Sequence, residues 1–149
     1  MRRFAIGFAI GIVAVVLGVW AVSANAFELG TGLVRFSDSE ETSPFAAVVL
    51  DAAPRVQAQG LWVRDGLVHH ADASIVLAAY GLDNIMLFVQ GGAGLAWDDF
   101  DQSEVEVLYG AGVSGAILGF TGRFGYLGRT QEGLDETENS WFAGLFLNR

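Results

Sequence analysis

Alternation governs this chain beyond residue 26. From Ile85 to Asp98 the odd positions read Ile85, Leu87, Val89, Gly91, Ala93, Leu95 and Trp97. The even positions read Met86, Phe88, Gln90, Gly92, Gly94, Ala96 and Asp98. The next stretch repeats the scheme, with Val105, Val107, Tyr109, Ala111 and Val113 set against Glu106, Leu108, Gly110, Gly112 and Ser114. A period of two is that of a β-strand, whose side chains leave on opposite faces at each step. One face is bulky and apolar, the other small with a few polar groups. No long 3.6-residue stripe appears in 27–149. Strands are predicted near 27–36, 45–52, 55–64, 67–81, 85–97, 105–116, 120–129 and 139–148. A membrane-crossing strand takes about 9–11 residues, so eight use roughly 80 and leave about 40 for seven connections.

The connections alternate in character. The first (Ser37 to Pro44), fifth (Asp98 to Glu104) and seventh (Thr130 to Glu138) are long and polar. The second (around Ala53-Pro54), fourth (around Asp83-Asn84) and sixth (around Leu118-Gly119) are tight. The third reads in two ways, as a short turn at Arg64-Asp65-Gly66 or as a loop running on through His70. Long loops on one rim and tight turns on the other is the arrangement of outer-membrane barrels.

Residues 1–26 stand apart. Arg2 and Arg3 precede an uncharged run from Phe4 to Val22, and Ser23-Ala24-Asn25-Ala26 supplies an A-x-A site. That is the layout of a cleaved secretory signal, with a mature chain from Phe27 to Arg149. The alternative is a retained anchor, since a run of this length just spans a bilayer. Gly7 and Gly11 even match the small-residue helix-pairing pattern.

Composition then sharpens the picture. Of the 149 residues 52% are hydrophobic, yet the formal net charge is −9, and all eight basic residues are Arg. Without Arg2 and Arg3, seventeen acids face six arginines, a net charge of −11. With no Cys, a disulfide scaffold and a thiolate metal site are excluded. Binding to a nucleic-acid backbone needs basic surface, which this chain lacks. The acids are sorted: Asp38, Glu40 and Glu41, then Asp98, Asp99, Asp101 and Glu104, then Glu132, Asp135, Glu136 and Glu138 all fall in the three long connections. Apolar staves with charge exported to one rim are expected when lipid is the outer solvent. Closure is then compulsory, because hydrocarbon cannot satisfy an open sheet edge. Phe36, Phe45, Trp62, Trp97, Tyr109, Tyr126 and Trp141 fall toward the loop-side strand ends, as an interfacial belt would.

Phe88-Val89-Gln90-Gly91-Gly92-Ala93-Gly94-Leu95-Ala96-Trp97 resembles the aromatic-Val-Gly-x-Gly strand of the small outer-membrane β-barrels, which include opacity proteins and the membrane domain of outer membrane protein A. Tyr109-Gly110-Ala111-Gly112-Val113 and Arg123-Phe124-Gly125-Tyr126-Leu127 look like the two strands that follow in that family. The resemblance implies an eight-stranded barrel in the bacterial outer membrane, surrounded by lipid and lipopolysaccharide and inserted by the assembly machinery through its C-terminal strand. One departure is visible: barrels of that family end in an aromatic residue, whereas this sequence ends Phe146-Leu147-Asn148-Arg149, which leaves Phe146 as the stand-in.

Candidate chemistry is sparse. Gly110-Ala111-Gly112-Val113-Ser114-Gly115 matches G-x-G-x-x-G, but the dinucleotide fingerprint needs a strand before it and a helix after it. Here strand alternation runs through it, and glycines on an inner face serve to close a narrow barrel. His70, Asp72 and Ser74 share one face of the fourth strand as a superficial hydrolytic set, yet neighbours two apart lie about 6.6 Å apart, too far for a direct relay. They also lack the His-x-Ser pairing of lipid A deacylases. His69 and His70 point to opposite faces and make no metal pair. Glu106 and Arg129 point inward on neighbouring strands, and a turn at Ile117-Leu118 would set them opposite each other as a lumen ion pair, with Arg123 deeper, near Gly112 and Ser114. Asp98, Asp99, Asp101 and Glu104 are a speculative site for Ca²⁺ or Mg²⁺.

The sequence thus reads as an all-β, eight-stranded antiparallel up-and-down transmembrane β-barrel over 27–149 behind a signal peptide. The expected role is structural or at the cell surface, as a monomer with a side-chain-filled lumen, no bulk transport, no catalytic residues and no cofactor. The alternatives are an outer-leaflet lipid A hydrolase using His70, Asp72 and Ser74, and a secreted soluble barrel that binds an apolar ligand.

Overall fold

The computed structural model describes residues 27–98, 103–131 and 137–148. The expected signal segment therefore lies outside the described residues, as do Asp99 and Asp101. Eight strands follow one another: β1 (Phe27–Phe36), β2 (Thr42–Ala53), β3 (Val56–Asp65), β4 (Val68–Leu82), β5 (Ile85–Asp98), β6 (Ser103–Ile117), β7 (Phe120–Gln131) and β8 (Thr137–Asn148). Each pairs antiparallel with its sequence neighbours, and β1 pairs with β8, so the sheet closes into a barrel without an edge.

The strands run beyond their expected bounds mostly at the loop rim, where β2 starts at Thr42, β6 at Ser103 and β8 at Thr137. Charge marks where the apolar wall ends, whereas ladder hydrogen bonds need only backbone and continue through polar residues. Glu104 and Glu138 therefore belong to strands, not loops. The third connection is the short turn: Asp65 pairs with Val68, and Gly66 and Leu67 span the gap, with Gly66 at φ 57°. The sixth turn is Leu118-Gly119, both at positive φ, the twist that suits a two-residue hairpin.

Alternation resolves into two walls. Leu29, Leu33, Ile75, Leu77, Val89, Val107, Val113, Leu145 and Leu147 stand exposed on the outer one. Val34, Phe36, Phe45, Val49, Val63, Phe88, Phe142 and Phe146 are buried inside. Phe36 and Phe45 thus fill the lumen and do not join the interfacial belt. They share the inward phase of β1 and β2, which their position near a rim does not reveal. Phe146 is likewise buried inside the lumen.

A narrow lumen holding these rings needs glycine on other staves. A Cβ at Gly144 would run into the Phe45 ring, one at Gly30 into Phe146, and one at Gly125 would come within 2.8 Å of Phe142. Among the described residues no helix is long and apolar enough to cross a membrane.

Candidate functional site in the barrel lumen

Inward-facing polar residues collect at two levels of the lumen, separated by aromatic rings. The upper level centres on Arg129 of β7, 1% exposed. Its Nη2 donates to Asp72 Oδ2 of β4 at 2.8 Å, and its Nη1 donates to Ser140 Oγ of β8 at 3.1 Å. The guanidinium also lies 3.8 Å from Glu106 Oε2, 4.0 Å from Glu138 Oε1, and over the Phe36 ring at 5.7 Å. Glu106 is itself 1% exposed, and its Oε2 accepts a hydrogen bond of 3.0 Å from Nδ1 of His70, whose ring stacks on Phe36. Such burial of charge is sustained only where partners surround it.

Register explains how these groups meet. Across β4, β5 and β6 one row runs Asp72, Gly94, Glu106. Gly94 leaves a gap between the two carboxylates, and a Cβ there would strike Asp72 Oδ1. Into that gap Arg129 reaches from β7, the stave next to β6. The Leu118-Gly119 turn sets Arg129 opposite Leu108, so Glu106 is two positions away along β6 rather than directly across. The lumen ion pair of Glu106 and Arg129 is therefore diagonal, and the nearest carboxylate to Arg129 is that of Asp72.

The lower level centres on Arg123, which pairs with Ser114 across the ladder. Its Nη2 donates to Gln57 Oε1 at 2.8 Å and to Glu28 Oε2 at 3.1 Å, and its Nη1 to Gln59 Oε1 at 3.4 Å. The guanidinium lies 4.7 Å over the Phe146 ring and 6.0 Å from that of Phe88, a desolvated cation–π contact. Between the levels Phe45, Phe88 and Phe142 pack with centroids 6.2 and 6.4 Å apart. Below Arg123 a cavity of about 320 Å³, lined in part by Glu28, Asp51, Arg55 and Thr121, faces the turn rim.

His70, Asp72 and Ser74 all line the lumen, but the structure does not join them. His70 is engaged by Glu106 and Asp72 by Arg129, and neither bond leads to Ser74. Gly110 to Gly115 lie within β6, which turns back directly into β7 with no helix after it. Of the acidic quartet only Asp98 and Glu104 are described, at the facing ends of β5 and β6. Reading strand by strand missed Glu28, Gln57, Gln59, Asp65, Glu138 and Ser140 as lumen partners. Their signal was the inward phase itself, carried through to residues near the rims.

The five aromatics Trp62, Trp97, Tyr109, Tyr126 and Trp141 stand on the outer wall toward the loop rim. Two lateral stacks result: Trp62, His69 and Trp97, with centroids 5.9 and 5.3 Å apart, and Tyr109, Tyr126, Trp141 and Phe124, 5.4 to 6.3 Å apart. Tyr109 lies over Gly128, which has no side chain to hold it off, and the Tyr126 hydroxyl donates to Asn139.

A closed eight-strand sheet, apolar outside, with aromatics at one level and buried ion pairs inside, decides the class. The chain has the fold of a small outer-membrane barrel. The N-terminal β-barrel domain of Pseudomonas aeruginosa OprF is similar over 85% of this chain and 98% of that one, with a TM-score of 0.68 and 15% identity. A de novo designed transmembrane β-barrel covers 85% of the chain and 97% of its own at a TM-score of 0.63 and 8% identity. Ail, the attachment invasion locus protein of Yersinia pestis, covers 83% and 97% at 0.51 and 15%. No protein-family model matches the sequence, and none of the curated proteins does. At these identities the likeness is one of fold.

Proposed function

We propose that this barrel is an integral protein of the bacterial outer membrane with a structural or cell-surface role, monomeric and closed to bulk transport. The observation that carries the reading is the pairing of a continuous apolar outer wall with a lumen filled by two ionic levels and an aromatic layer. Water would not tolerate that outer wall: Leu33, Leu77, Val107 and Leu145, on β1, β4, β6 and β8, are each about half exposed and face outward around the barrel. Lipid would, and the aromatic stacks mark the level of its headgroups. In that setting the outer wall meets lipid and lipopolysaccharide, the polar rim meets the medium, and β8 is the strand offered to the assembly machinery.

No reaction is assigned. The polar residues most suited to chemistry face the lumen and are engaged with one another, away from the lipid face where an outer-leaflet enzyme would meet its substrate. The test combines membrane fractionation with mobility on a gel before and after boiling, and with recording in planar bilayers. The expected result is outer-membrane recovery, a boiling-dependent shift and no steady conductance. Recovery in the soluble periplasmic fraction without detergent would overturn the membrane reading, and a stable open channel would overturn the closed lumen. A change in lipid A mass spectra on expression would replace the structural role with an enzymatic one.

A further inference from the structure

Above Arg129, at the loop-side mouth of the lumen, Asp65, His70 and Glu138 bring one ligand atom each within 4.8 Å of one another. They come from three staves: Asp65 closes β3 at the Gly66 turn, His70 lies on β4, and Glu138 is the second residue of β8. The geometry points to a divalent transition-metal site of the Zn²⁺ class, with one imidazole and two carboxylates as ligands.

Three observations carry it. First, His70 is 2% exposed, and its Nδ1 already donates to Glu106. With Nδ1 facing the carboxylate, Nε2 is the nitrogen left to offer a lone pair to a metal. No hydrogen bond among the described residues occupies Nε2. A carboxylate behind the imidazole of a metal ligand is the usual second layer of a zinc site, where it orients the ring and raises its basicity. Second, Glu138 Oε1 is buried with no hydrogen-bond partner, and Arg129, at 4.0 Å, spends its hydrogen bonds on Asp72 and Ser140. Third, charge does not balance. Among the described residues four carboxylates, those of Asp65, Asp72, Glu106 and Glu138, gather around one guanidinium and one imidazole. A divalent ion at the mouth would neutralise the two acids that Arg129 does not hold.

The donor set decides the class of ion. Imidazole with carboxylate suits Zn²⁺ and its neighbours in the first transition row, whereas Mg²⁺ and Ca²⁺ favour all-oxygen sites. Zinc bonds of about 2.0–2.2 Å need tetrahedral donors roughly 3.3 Å apart, so modest side-chain rotation closes the site, with water in the remaining position. Asp65 and Glu138 are partly exposed, and Glu41 leans over Gly66 beside them, giving the ion an acidic way in from the loop rim.

The test uses the untagged protein extracted folded from membranes in detergent, titrated with Co²⁺ and then Zn²⁺. The expected result is one Co²⁺ per chain with the visible d–d bands of a low-symmetry site, displaced by Zn²⁺ but not by a large excess of Mg²⁺ or Ca²⁺. Asp65→Asn and Glu138→Gln, both at the rim and folded by the gel-shift criterion, should each weaken binding by at least about tenfold, and Glu106→Gln by about 10–100-fold through the orientation of His70. Glu104→Gln should leave it unchanged. Absence of Co²⁺ bands at saturation overturns the proposal. So does binding that survives the Asp65→Asn/Glu138→Gln double variant, or that Mg²⁺ competes away.

Discussion

Removing the guanidinium of Arg129 is the sharpest test of how this barrel is held together. Arg129→Met keeps the aliphatic stem of the side chain and deletes the charge that faces Asp72 at 2.8 Å and Glu106 at 3.8 Å. Both carboxylates stay buried, at 8% and 1% exposure, and among the described residues the other buried arginine, Arg123, belongs to the lower level. Breaking a buried pair by removing one partner costs about 3–5 kcal/mol, because the remaining charge is stranded. At 1.4 kcal/mol per decade that is on the order of a hundred- to several-thousandfold in the unfolding equilibrium. Asp72→Asn is milder: it loses one charged hydrogen bond, about 1.5–3 kcal/mol, while Arg129 retains Glu106. The double variant removes both ends of the shortest contact, so its cost should fall short of the sum of the singles by about 2 kcal/mol. The assay is urea-induced unfolding and refolding in lipid vesicles, followed by tryptophan fluorescence and by the gel mobility shift. If Arg129→Met costs less than about 1 kcal/mol, or the two singles add without coupling, the ionic level is ornament and the aromatic layer alone sustains the fold.

Three further outcomes follow from the walls of the barrel. Gly94→Ala puts a methyl against Asp72 Oδ1 and should cost about 1–3 kcal/mol in the same unfolding assay. Gly91→Ala, on the outer wall with its nearest atom at 3.7 Å, should stay within about 0.5 kcal/mol; equal costs would refute the inward placement of Gly94. Val89→Arg, on the outer wall beside Ala111, should lose about 2–4 kcal/mol in vesicles if that wall meets hydrocarbon, and little if it meets water. Leu118→Asn should stabilise slightly, read as a higher urea midpoint, since Leu118 is 97% exposed at φ 46°, where Asn is better tolerated than Leu.

Much of the fold was legible along the chain because a strand writes its two faces in a period of two. The eight strands, the tight and long connections, and the inward phase of Glu106, Arg123 and Arg129 all follow from that period. Rim residues were harder. Phe36 and Phe45 read as belt aromatics because of where they sit along the strand, yet phase, not height, decides the wall a side chain occupies. The partners across the lumen were harder still. Asp72 and Arg129 lie 57 positions apart in sequence, and Arg123 and Glu28 lie 95 apart. Nothing in a local pattern couples them.

What the sequence determined by itself is the alternation, and with it the need for a closed sheet whose apolar face turns outward. What only the tertiary structure decided is register and reach. A strand slipped by one residue would exchange its walls and be visible in the pattern, but a slip of two preserves every face. The turn at Leu118-Gly119 rather than Ile117-Leu118 is such a slip. It moves Arg129 from Glu106 to a place opposite Leu108, and closure of the barrel then brings Asp72, three strands away, within 2.8 Å.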